Sequence, residues 1–183
     1  LLNRLLEKTD YHYSTHKYTK TAMKEENNTR TALFVGSFDP FTIGHADIVE
    51  RTLKLFGRIV IGVGINPEKH SMLSAEERIE VVRSLYEGDN RVKIVGFTDL
   101  AVDLAKRERA AFIVKGVRSI RDFEYEREQA ELNRNMTGIE TLLLYADPSM
   151  ASISSSAVRQ LAYFHKDVSW MVPKSKKGKT VKE

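Results

Sequence analysis

The sequence of 183 residues predicts one doubly wound α/β domain, in which a five-stranded parallel sheet carries helices on both faces. Short apolar runs rich in β-branched residues alternate along the chain with longer stretches of helical periodicity. The apolar runs lack strict polar alternation, which is expected of strands that are covered on both faces. Five strands that alternate with helices in this way are typical of a Rossmann-like architecture.

The predicted elements follow one another in strict order from Thr31 onward. The strands are the apolar runs Ala32–Val35, Ile59–Val63, Val92–Val95, Phe112–Val114 and Thr141–Tyr145. The helices are Ala46–Phe56, Ala75–Tyr86, Leu100–Arg109, Arg121–Asn135 and a last one from Ser154 to Tyr163. Ser74 and Glu77 form a capping box at the start of the second helix, because each side chain can bind the backbone N–H of the other residue.

Composition excludes several classes of protein. Hydrophobic residues make up 42% and charged residues 30% of the chain, the balance of a folded globular domain. No apolar run approaches the ~20 residues that a membrane-spanning helix needs, so we expect no membrane partner. The absence of cysteine excludes a disulfide framework, a thiolate metal site and a cysteine nucleophile, and it fits a location in the reducing cytoplasm.

The excess positive charge is confined to the two ends of the sequence. Residues 1–30 carry a net charge of +2 and residues 174–183 a net charge of +4, whereas residues 31–173 carry −2. We therefore interpret 1–30 as a flexible N-terminal extension, 31–173 as the folded domain and 174–183 as a basic C-terminal tail. A nucleic-acid-binding protein carries its positive charge on the folded face, so we expect no nucleic-acid partner.

The loop after the first strand is the first candidate site, because ligands of such sheets bind beyond the carboxyl ends of the strands. Gly36 ends this strand and Gly44 precedes the next helix, and both let the backbone approach a ligand closely. His45 lies in the first turn of that helix, where free N–H groups and the helix dipole favour an anion. The pattern predicts a phosphate site. The alternative is a helix-capping turn with an incidental histidine. For Asp39 the alternative is a structural role, in which its side chain bonds the backbone of the loop.

Three later loops add anion donors at the same edge of the sheet. They are Lys69 after the second strand, Lys115, Arg118 and Arg121 after the fourth, and Ser154, Ser155 and Ser156 at the last helix. Taken singly, these groups are explained by a solvated lysine, by salt bridges to Asp122 or Glu124, and by a helix N-cap. Their convergence favours a binding site for several phosphates. The sequence shows none of the residue patterns that common hydrolases use, since it has no Ser-His-Asp order, no paired carboxylates and no HExxH motif.

Two motifs make the match to a known family specific. GSFDPFTIGH at 36–45 and ISSSAVR at 153–159 resemble the nucleotidyltransferases that carry GH and ISSSxxR motifs. Within that superfamily, KGVRSIRDFEYE at 115–126 and the stretch from Asn66 to Arg78 resemble the phosphopantetheine adenylyltransferases of bacteria. The resemblance covers residues 31–173.

The resemblance implies an activity and its partners. It implies transfer of the adenylyl group of ATP to 4'-phosphopantetheine, which gives dephospho-coenzyme A and pyrophosphate. It also implies Mg²⁺, a homohexamer and feedback inhibition by coenzyme A. The physical chemistry agrees, because an acceptor phosphate is already a nucleophile and the site need only position the substrates and stabilise charge. The chain has no dedicated carboxylate cage, so Mg²⁺ is expected to be held mainly through ATP phosphates and water.

The resemblance also implies roles for individual residues. His45, Lys69 and Arg118 would be catalytic, with His45 at the α-phosphate. ATP would be bound by Ser37, Phe38, His45, Gly116, Val117, Arg118, Glu126, Met150, Ala151, Ser152, Ile153, Ser154, Ser155 and Ser156. Phosphopantetheine would be bound by Ser37, Lys69, Ala101 and Lys115.

Some positions depart from the family pattern. Lys115 stands where the family more often has Arg, which turns a bidentate phosphate contact into a point contact. Ala101 is smaller than the usual Met or Leu, and Met150–Ser152 lacks the usual aromatic residues. The alternative functions are a sister enzyme that uses another phosphorylated acceptor, such as nicotinamide mononucleotide, and a nucleotide sensor without catalysis.

Overall fold

The computed structural model describes residues 30–68 and 70–174. The predicted N-terminal extension up to residue 29, Lys69 and the basic tail from residue 175 lie outside the described residues. The strands are β1 (Thr31–Gly36), β2 (Arg58–Gly64), β3 (Val92–Phe97), β4 (Phe112–Val117) and β5 (Glu140–Tyr145). The helices are α1 (Ile43–Leu55), α2 (Ala75–Leu85), α3 (Ala101–Arg107), α4 (Ile120–Thr137) and α5 (Ser155–Tyr163), with a 3₁₀ turn at Pro148–Met150.

The five strands form one parallel sheet in the order β3-β2-β1-β4-β5. Leu33 of the central strand β1 is aligned with Val60 of β2 on one side and with Ile113 of β4 on the other. The chain builds outward from β1 to β3 and then returns to place β4 on the opposite side of β1. The strand order therefore reverses between β1 and β4, where sheets of this kind bind their ligands. The predicted doubly wound α/β fold is confirmed.

Alternate residues of β1 point into two hydrophobic clusters, one on each face of the sheet. Phe34 packs in one cluster with Val49 of α1 and Val82 of α2. Leu33 packs in the other cluster with Leu104 of α3. Both faces of the central strand are thus covered, which explains why the strand sequences lack polar alternation. No helix among the described residues is both long enough and apolar enough to cross a membrane.

The observed elements differ from the predicted bounds by at most two residues, except at two ends that differ by three for physical reasons. Helix α1 begins at Ile43 rather than Ala46, because Thr42 caps it and supplies the bonds that its first turn needs. Strand β4 continues to Val117 rather than ending at Val114, because Lys115 and Gly116 stay paired with Leu residues of β5. The charged Lys115 interrupts the apolar run but not the strand. The residues that we predicted in the fourth loop therefore lie partly at the end of β4.

Candidate active site

A cavity of about 330 Å³ opens beyond the carboxyl ends of β1 and β4, at the point where the strand order reverses. Its walls come from five segments: the end of β1 with the β1–α1 loop and the start of α1, the end of β4, the start of α4, the segment between β5 and α5, and the start of α5. The volume lies within the range of small-molecule sites. The segments are those in which the sequence places its anion donors.

Most of the predicted site residues line this cavity. They are Ser37, Phe38, His45, Lys115, Gly116, Arg118, Glu126, Met150, Ile153, Ser154, Ser155 and Ser156. Four others do not line it: Val117 is buried at the end of β4, Ala151 and Ser152 are exposed beyond the 3₁₀ turn, and Ala101 starts α3 after the edge strand β3. The catalytic prediction for Lys69 falls on a residue outside the described part of the chain. The roles in binding remain predictions.

The loop after β1 is held by three side chains from two distant helices, α2 and α5, each bound to a different backbone carbonyl. Arg78 Nη1 donates to the carbonyl of Ser37 at 2.6 Å and Arg159 Nη1 to that of Asp39 at 2.7 Å. Ser155 Oγ donates to the carbonyl of Pro40 at 2.9 Å. With these carbonyl oxygens bound from outside the loop, the conformation of the loop is set before any ligand arrives.

Asp39 has a structural role in this arrangement. Asp39 is only 5% exposed. Its two carboxylate oxygens accept hydrogen bonds from the backbone N–H groups of Met72 and Leu73, each at 2.9 Å. Asp39 therefore fastens the first loop to the segment that leads into α2. This agrees with the structural alternative for Asp39, although the backbone that it bonds lies outside its own loop.

Gly36 is required by the packing of this loop. A Cβ atom at Gly36 would lie 2.9 Å from the ring of Phe38, closer than carbon atoms approach without displacement. Phe38 itself adopts a positive φ of 50°, a conformation that side-chain-bearing residues rarely use. The glycine thus gives room to a ring that folds back over the end of β1.

His45 takes part in a capping box at the start of α1. The backbone N–H of Thr42 donates to His45 Nδ1 at 3.0 Å, and the backbone N–H of His45 donates to Thr42 Oγ1 at 3.4 Å. Because Nδ1 accepts a hydrogen bond, the proton of the neutral imidazole lies on Nε2. His45 lines the cavity with an N–H that the capping box does not use, so the helix-capping interpretation is correct and the role at a phosphate stays a prediction.

The surroundings of His45 keep its imidazole neutral. The rings of Phe34, Phe38 and Phe41 lie with their centroids 5.1–6.2 Å from the imidazole. Burial among these groups, and secondarily the positive charge of Arg118, lower the pKa of His45 from 6.5 to about 4. At neutral pH the residue is thus a hydrogen-bond donor without charge, and it does not attract a phosphate by charge alone.

The cations of the cavity at the end of β4 and just after it are paired with carboxylates. Arg118 Nε lies 2.9 Å from Asp122 Oδ2, and Lys115 Nζ lies 3.2 Å from Glu126 Oε2. Arg118 therefore forms the salt bridge to Asp122 that we gave as the alternative interpretation, and it also lines the cavity. Arg121, the third cation of the predicted clamp, is exposed and does not line the cavity. The clamp contains two cations in the described residues rather than three.

The three serines at the start of α5 have three different partners. Ser154 is the N-cap and accepts a hydrogen bond from the Ala157 N–H at 3.0 Å. Ser155 holds Pro40, and Ser156 Oγ lies 3.1 Å from Arg159 Nη2. The first N–H groups of α5 lack acceptors within the helix and lie at the positive end of its dipole. The cap interpretation is correct for Ser154, and the helix terminus still offers an anion site.

Sequence reasoning missed residues that shape the cavity without resembling a motif. Thr42-x-x-His45 is a capping box with histidine in the place of the usual Glu or Gln, so spacing could have identified it. Arg159 lines the cavity and belongs to the ISSSAVR motif, but we did not predict it as a site residue. Arg78 ends a stretch that resembles the family, but we did not predict its burial, because an arginine near the start of an amphipathic helix is ordinarily exposed.

The chemistry that this cavity supports is anion binding and charge stabilisation. It combines a neutral N–H from His45, the cations Lys115, Arg118 and Arg159, and a helix N-terminus. Two carboxylates that line the cavity, Asp122 and Glu126, form ion pairs with Arg118 and Lys115. Such a site suits a reaction whose nucleophile is already an anion.

Known protein sequences and families are similar to this chain over most of its length. The cytidylyltransferase-like family matches residues 33–161. A phosphopantetheine adenylyltransferase of Bacteroides fragilis is 44% identical over 145 residues, which cover 79% of this chain and 97% of that protein. One of Porphyromonas gingivalis is 48% identical over 142 residues, which cover 78% of this chain and 93% of that protein.

Solved structures show the same fold at low identity. A bifunctional NMN adenylyltransferase/ADP ribose pyrophosphatase of Francisella tularensis, in complex with AMP and a manganese ion, has a TM-score of 0.59 and 16% identity. The match covers 78% of this chain and 44% of that one. The sequence relatives are far closer, and their identity extends over almost their whole length. The resemblance seen in the motifs is thereby confirmed, and the chain belongs to the family of phosphopantetheine adenylyltransferases.

Proposed function

We propose that this protein transfers the adenylyl group of ATP to 4'-phosphopantetheine. An oxygen of the acceptor phosphate forms a bond to the α-phosphorus of ATP, and the bond from that phosphorus to the bridging oxygen breaks. Dephospho-coenzyme A and pyrophosphate are the products. Pyrophosphate carries away the electron pair of the broken bond, so the transfer needs neither a covalent enzyme intermediate nor a general base.

The observation that carries this proposal is the state of His45. Its Nδ1 is held by the Thr42 N–H, which leaves Nε2–H as a donor in a cavity that is rich in cations. The hydrogen bond from a neutral donor becomes stronger as negative charge grows on the oxygens around the α-phosphorus. That growth occurs in the transition state, so the bond lowers the barrier to the reaction. His45 is therefore the group that we assign to the α-phosphate, as the family resemblance implies.

The other groups are assigned to binding and orientation. Arg118, Arg159 and the first N–H groups of α5 hold the phosphates of ATP, and Lys115 holds the acceptor phosphate. Lys115 provides one point contact, since ammonium lacks the planar fork of guanidinium. Three cationic anchors and His45 that line one cavity support the binding of both substrates with their reacting phosphates close together.

Magnesium enters this proposal as part of the substrate Mg–ATP. Among residues 30–68 and 70–174, no three His, Cys, Asp or Glu side chains come together in a way that could hold a metal ion. The donor set of the cavity consists of cations, hydroxyls and N–H groups, and its paired carboxylates do not form a metal cage. Phosphate oxygens and water would hold the ion, which contributes charge neutralisation.

We further propose a cytoplasmic homohexamer that coenzyme A inhibits. Helix α4 supports the assembly, because none of its 18 residues is buried in the single chain. Its large apolar side chains Ile120, Leu132 and Met136 are 50–80% exposed. Exposure of this extent on one helix is typical of a surface that another protein surface covers. Sedimentation equilibrium tests the assembly, and a coenzyme A titration of the reaction rate tests the inhibition.

The activity is tested by pyrophosphate release from ATP and Mg²⁺ with three conditions: 4'-phosphopantetheine, nicotinamide mononucleotide and no acceptor. The proposal predicts release only with 4'-phosphopantetheine, with dephospho-coenzyme A identified by mass spectrometry. Release only with nicotinamide mononucleotide would move the protein to a sister activity with the same His45 chemistry. ATP binding without release under any condition would favour the nucleotide sensor.

A further inference from the structure

Arg78 of α2 is a buried cation next to the cavity but outside its lining. The residue is only 4% exposed. Its Nη1 donates to the carbonyl oxygens of Ser37 at 2.6 Å and Gly64 at 2.8 Å, and its Nε donates to that of Ser74 at 3.3 Å. One guanidinium thus joins the carboxyl ends of the two neighbouring strands β1 and β2 to the N-cap of α2.

The bond to Ser37 determines the direction of a backbone N–H in the cavity wall. The Ser37 carbonyl and the Phe38 N–H belong to one planar trans peptide unit, so they point in opposite directions. Because Arg78 holds the carbonyl on its own side, the Phe38 N–H points away from Arg78. In the part of the chain that the structure describes, this N–H has no hydrogen-bond acceptor, and Phe38 lines the cavity.

The conformation of Phe38 shows that this orientation has to be maintained. Its φ of 50° lies in the left-handed region, which costs a side-chain-bearing residue roughly 1 kcal/mol or more. Such conformations persist where the surroundings hold them in place. Here the surroundings are the Arg78 bond on the preceding carbonyl and the Arg159 bond on the following one.

Arg78 has no carboxylate partner in the described part of the chain. No salt bridge to Arg78 occurs within residues 30–68 and 70–174, and its described partners are three carbonyl oxygens. Burying a guanidinium without a counter-ion is unfavourable, and an anion bound on the far side of the Ser37–Phe38 peptide would reduce that cost. The position of the charge therefore favours a phosphate at this peptide.

We propose that Arg78 is a positioning residue, which orients the Phe38 N–H to donate to a phosphate of ATP. The proposal rests on the proposed function in that it takes the bound anion to be ATP. It differs from a purely structural role for Arg78, which would support folding and leave ligand affinity unchanged.

The test is direct ATP binding by calorimetry, without acceptor, for wild type, Arg78→Lys and the control Arg83→Lys. Arg78→Lys keeps the charge but loses the planar guanidinium, whose Nη1 binds the carbonyls of Ser37 and Gly64 while its Nε binds that of Ser74. Arg83 lies on the same helix, is exposed and pairs only with Glu80 among the described residues. The proposal predicts about ten- to thirtyfold weaker ATP binding for Arg78→Lys, the loss expected for one hydrogen bond to a charged group. It predicts less than twofold change for Arg83→Lys.

Unchanged ATP affinity in a folded Arg78→Lys variant with a lowered Tm would overturn the proposal and leave a structural role. Because this measurement uses no acceptor, it separates Arg78 from the choice of acceptor, which pyrophosphate release decides. An absence of ATP binding by wild type would overturn both proposals.

Amide hydrogen exchange of the wild-type protein provides a second test that does not depend on a folded variant. The Phe38 amide is expected to exchange rapidly in the free protein, because it has no acceptor in the described structure. Saturating ATP is expected to slow its exchange at least tenfold. Protection by ATP of the first amides of α5 but not of Phe38 would overturn the proposal.

Discussion

The two walls of the cavity hold their polar groups in opposite ways. On the loop wall, residues 36–45, carbonyl oxygens are bound by side chains from distant segments and His45 is neutral. On the ion-pair wall, at the end of β4 and the start of α4, Lys115 and Arg118 are each paired with a carboxylate. The side chains of these two pairs are 16–38% exposed, so they remain accessible to solvent.

The difference separates two tasks of the site. The donors of the loop wall are oriented before the ligand binds. Binding does not require them to break an ion pair, so they can stabilise charge that develops in the transition state. The cations of the ion-pair wall must exchange a carboxylate for a phosphate, which makes them suited to capturing and selecting substrates. We therefore expect changes on the loop wall to affect turnover and changes on the ion-pair wall to affect binding.

The largest effect is expected for His45→Gln. Glutamine at this position can keep the capping box with Thr42 but cannot place an imidazole N–H at the α-phosphate. We predict that kcat falls about 100- to 1,000-fold, as for loss of one oxyanion donor, while ATP affinity changes less than about threefold. Steady-state kinetics and calorimetry measure the two quantities. Equal losses of kcat and ATP affinity would show that His45 acts in ground-state binding instead.

The pH dependence of stability gives the next largest effect. The folded-state pKa of His45 is about 4 and the unfolded value 6.5, so between these values the unfolded state binds more protons. The stabilisation is fully present above pH 6.5 and is lost as the pH falls towards 4, by about 3 kcal/mol in total. Urea unfolding of wild type and His45→Gln across this range measures the difference. Parallel curves for the two proteins would contradict the lowered pKa.

On the ion-pair wall, Arg118→Gln is expected to weaken ATP binding by about tenfold and to leave kcat at saturating ATP within about threefold. The reason is the loss of a charge-assisted hydrogen bond to phosphate. Arg121→Gln is the matched control, because Arg121 is exposed nearby and does not line the cavity. Calorimetry and steady-state kinetics supply the two values. A kcat loss as large as that of His45→Gln would remove the distinction between the walls.

The smallest effect is expected for Asp122→Asn. This change removes the carboxylate that competes with phosphate for Arg118, so ATP binding should tighten about two- to fivefold, in the range of exposed ion pairs. The helix start loses a favourable negative charge, which lowers the free energy of unfolding by about 0.5 kcal/mol. Calorimetry and urea unfolding measure the two changes. Weaker ATP binding would mean that the ion pair positions Arg118 rather than restrains it.

The fold could be predicted from the sequence because both faces of the central strand are covered. Strands of this kind consist of apolar residues without polar alternation, so they stand out in the sequence as apolar runs. The sequence also predicted most of the cavity lining, since parallel strands bring their carboxyl ends, and therefore their loops, to one edge. The end of β4 was missed because Lys115 is charged, although backbone pairing with β5 does not depend on the side chain. Apolar patterning thus predicts strands but not where pairing stops.

The details that separate the two walls could not be predicted in this way. The contact between Arg78 and Ser37 joins residues 41 positions apart, and no local pattern indicates it. The sequence left Asp122 and Glu124 as alternatives for the salt bridges, and the geometry of α4 selects Asp122 for Arg118. The sequence placed His45 in the first turn of the helix but did not show that its Nδ1 caps that helix. Such facts depend on tertiary contacts and on which atom of a side chain is already bonded.

The state of the His45 ring is the most direct test of this account. Nitrogen NMR of imidazole-labelled protein, with His45 assigned by comparison with His45→Gln, reports both protonation and the proton-bearing atom. We predict a neutral ring with its proton on Nε2 from pH 5.5 to 8 and a titration midpoint near 4. An imidazolium at pH 6–7, or a neutral ring with its proton on Nδ1, would contradict the assignment of His45 as the uncharged donor of the loop wall.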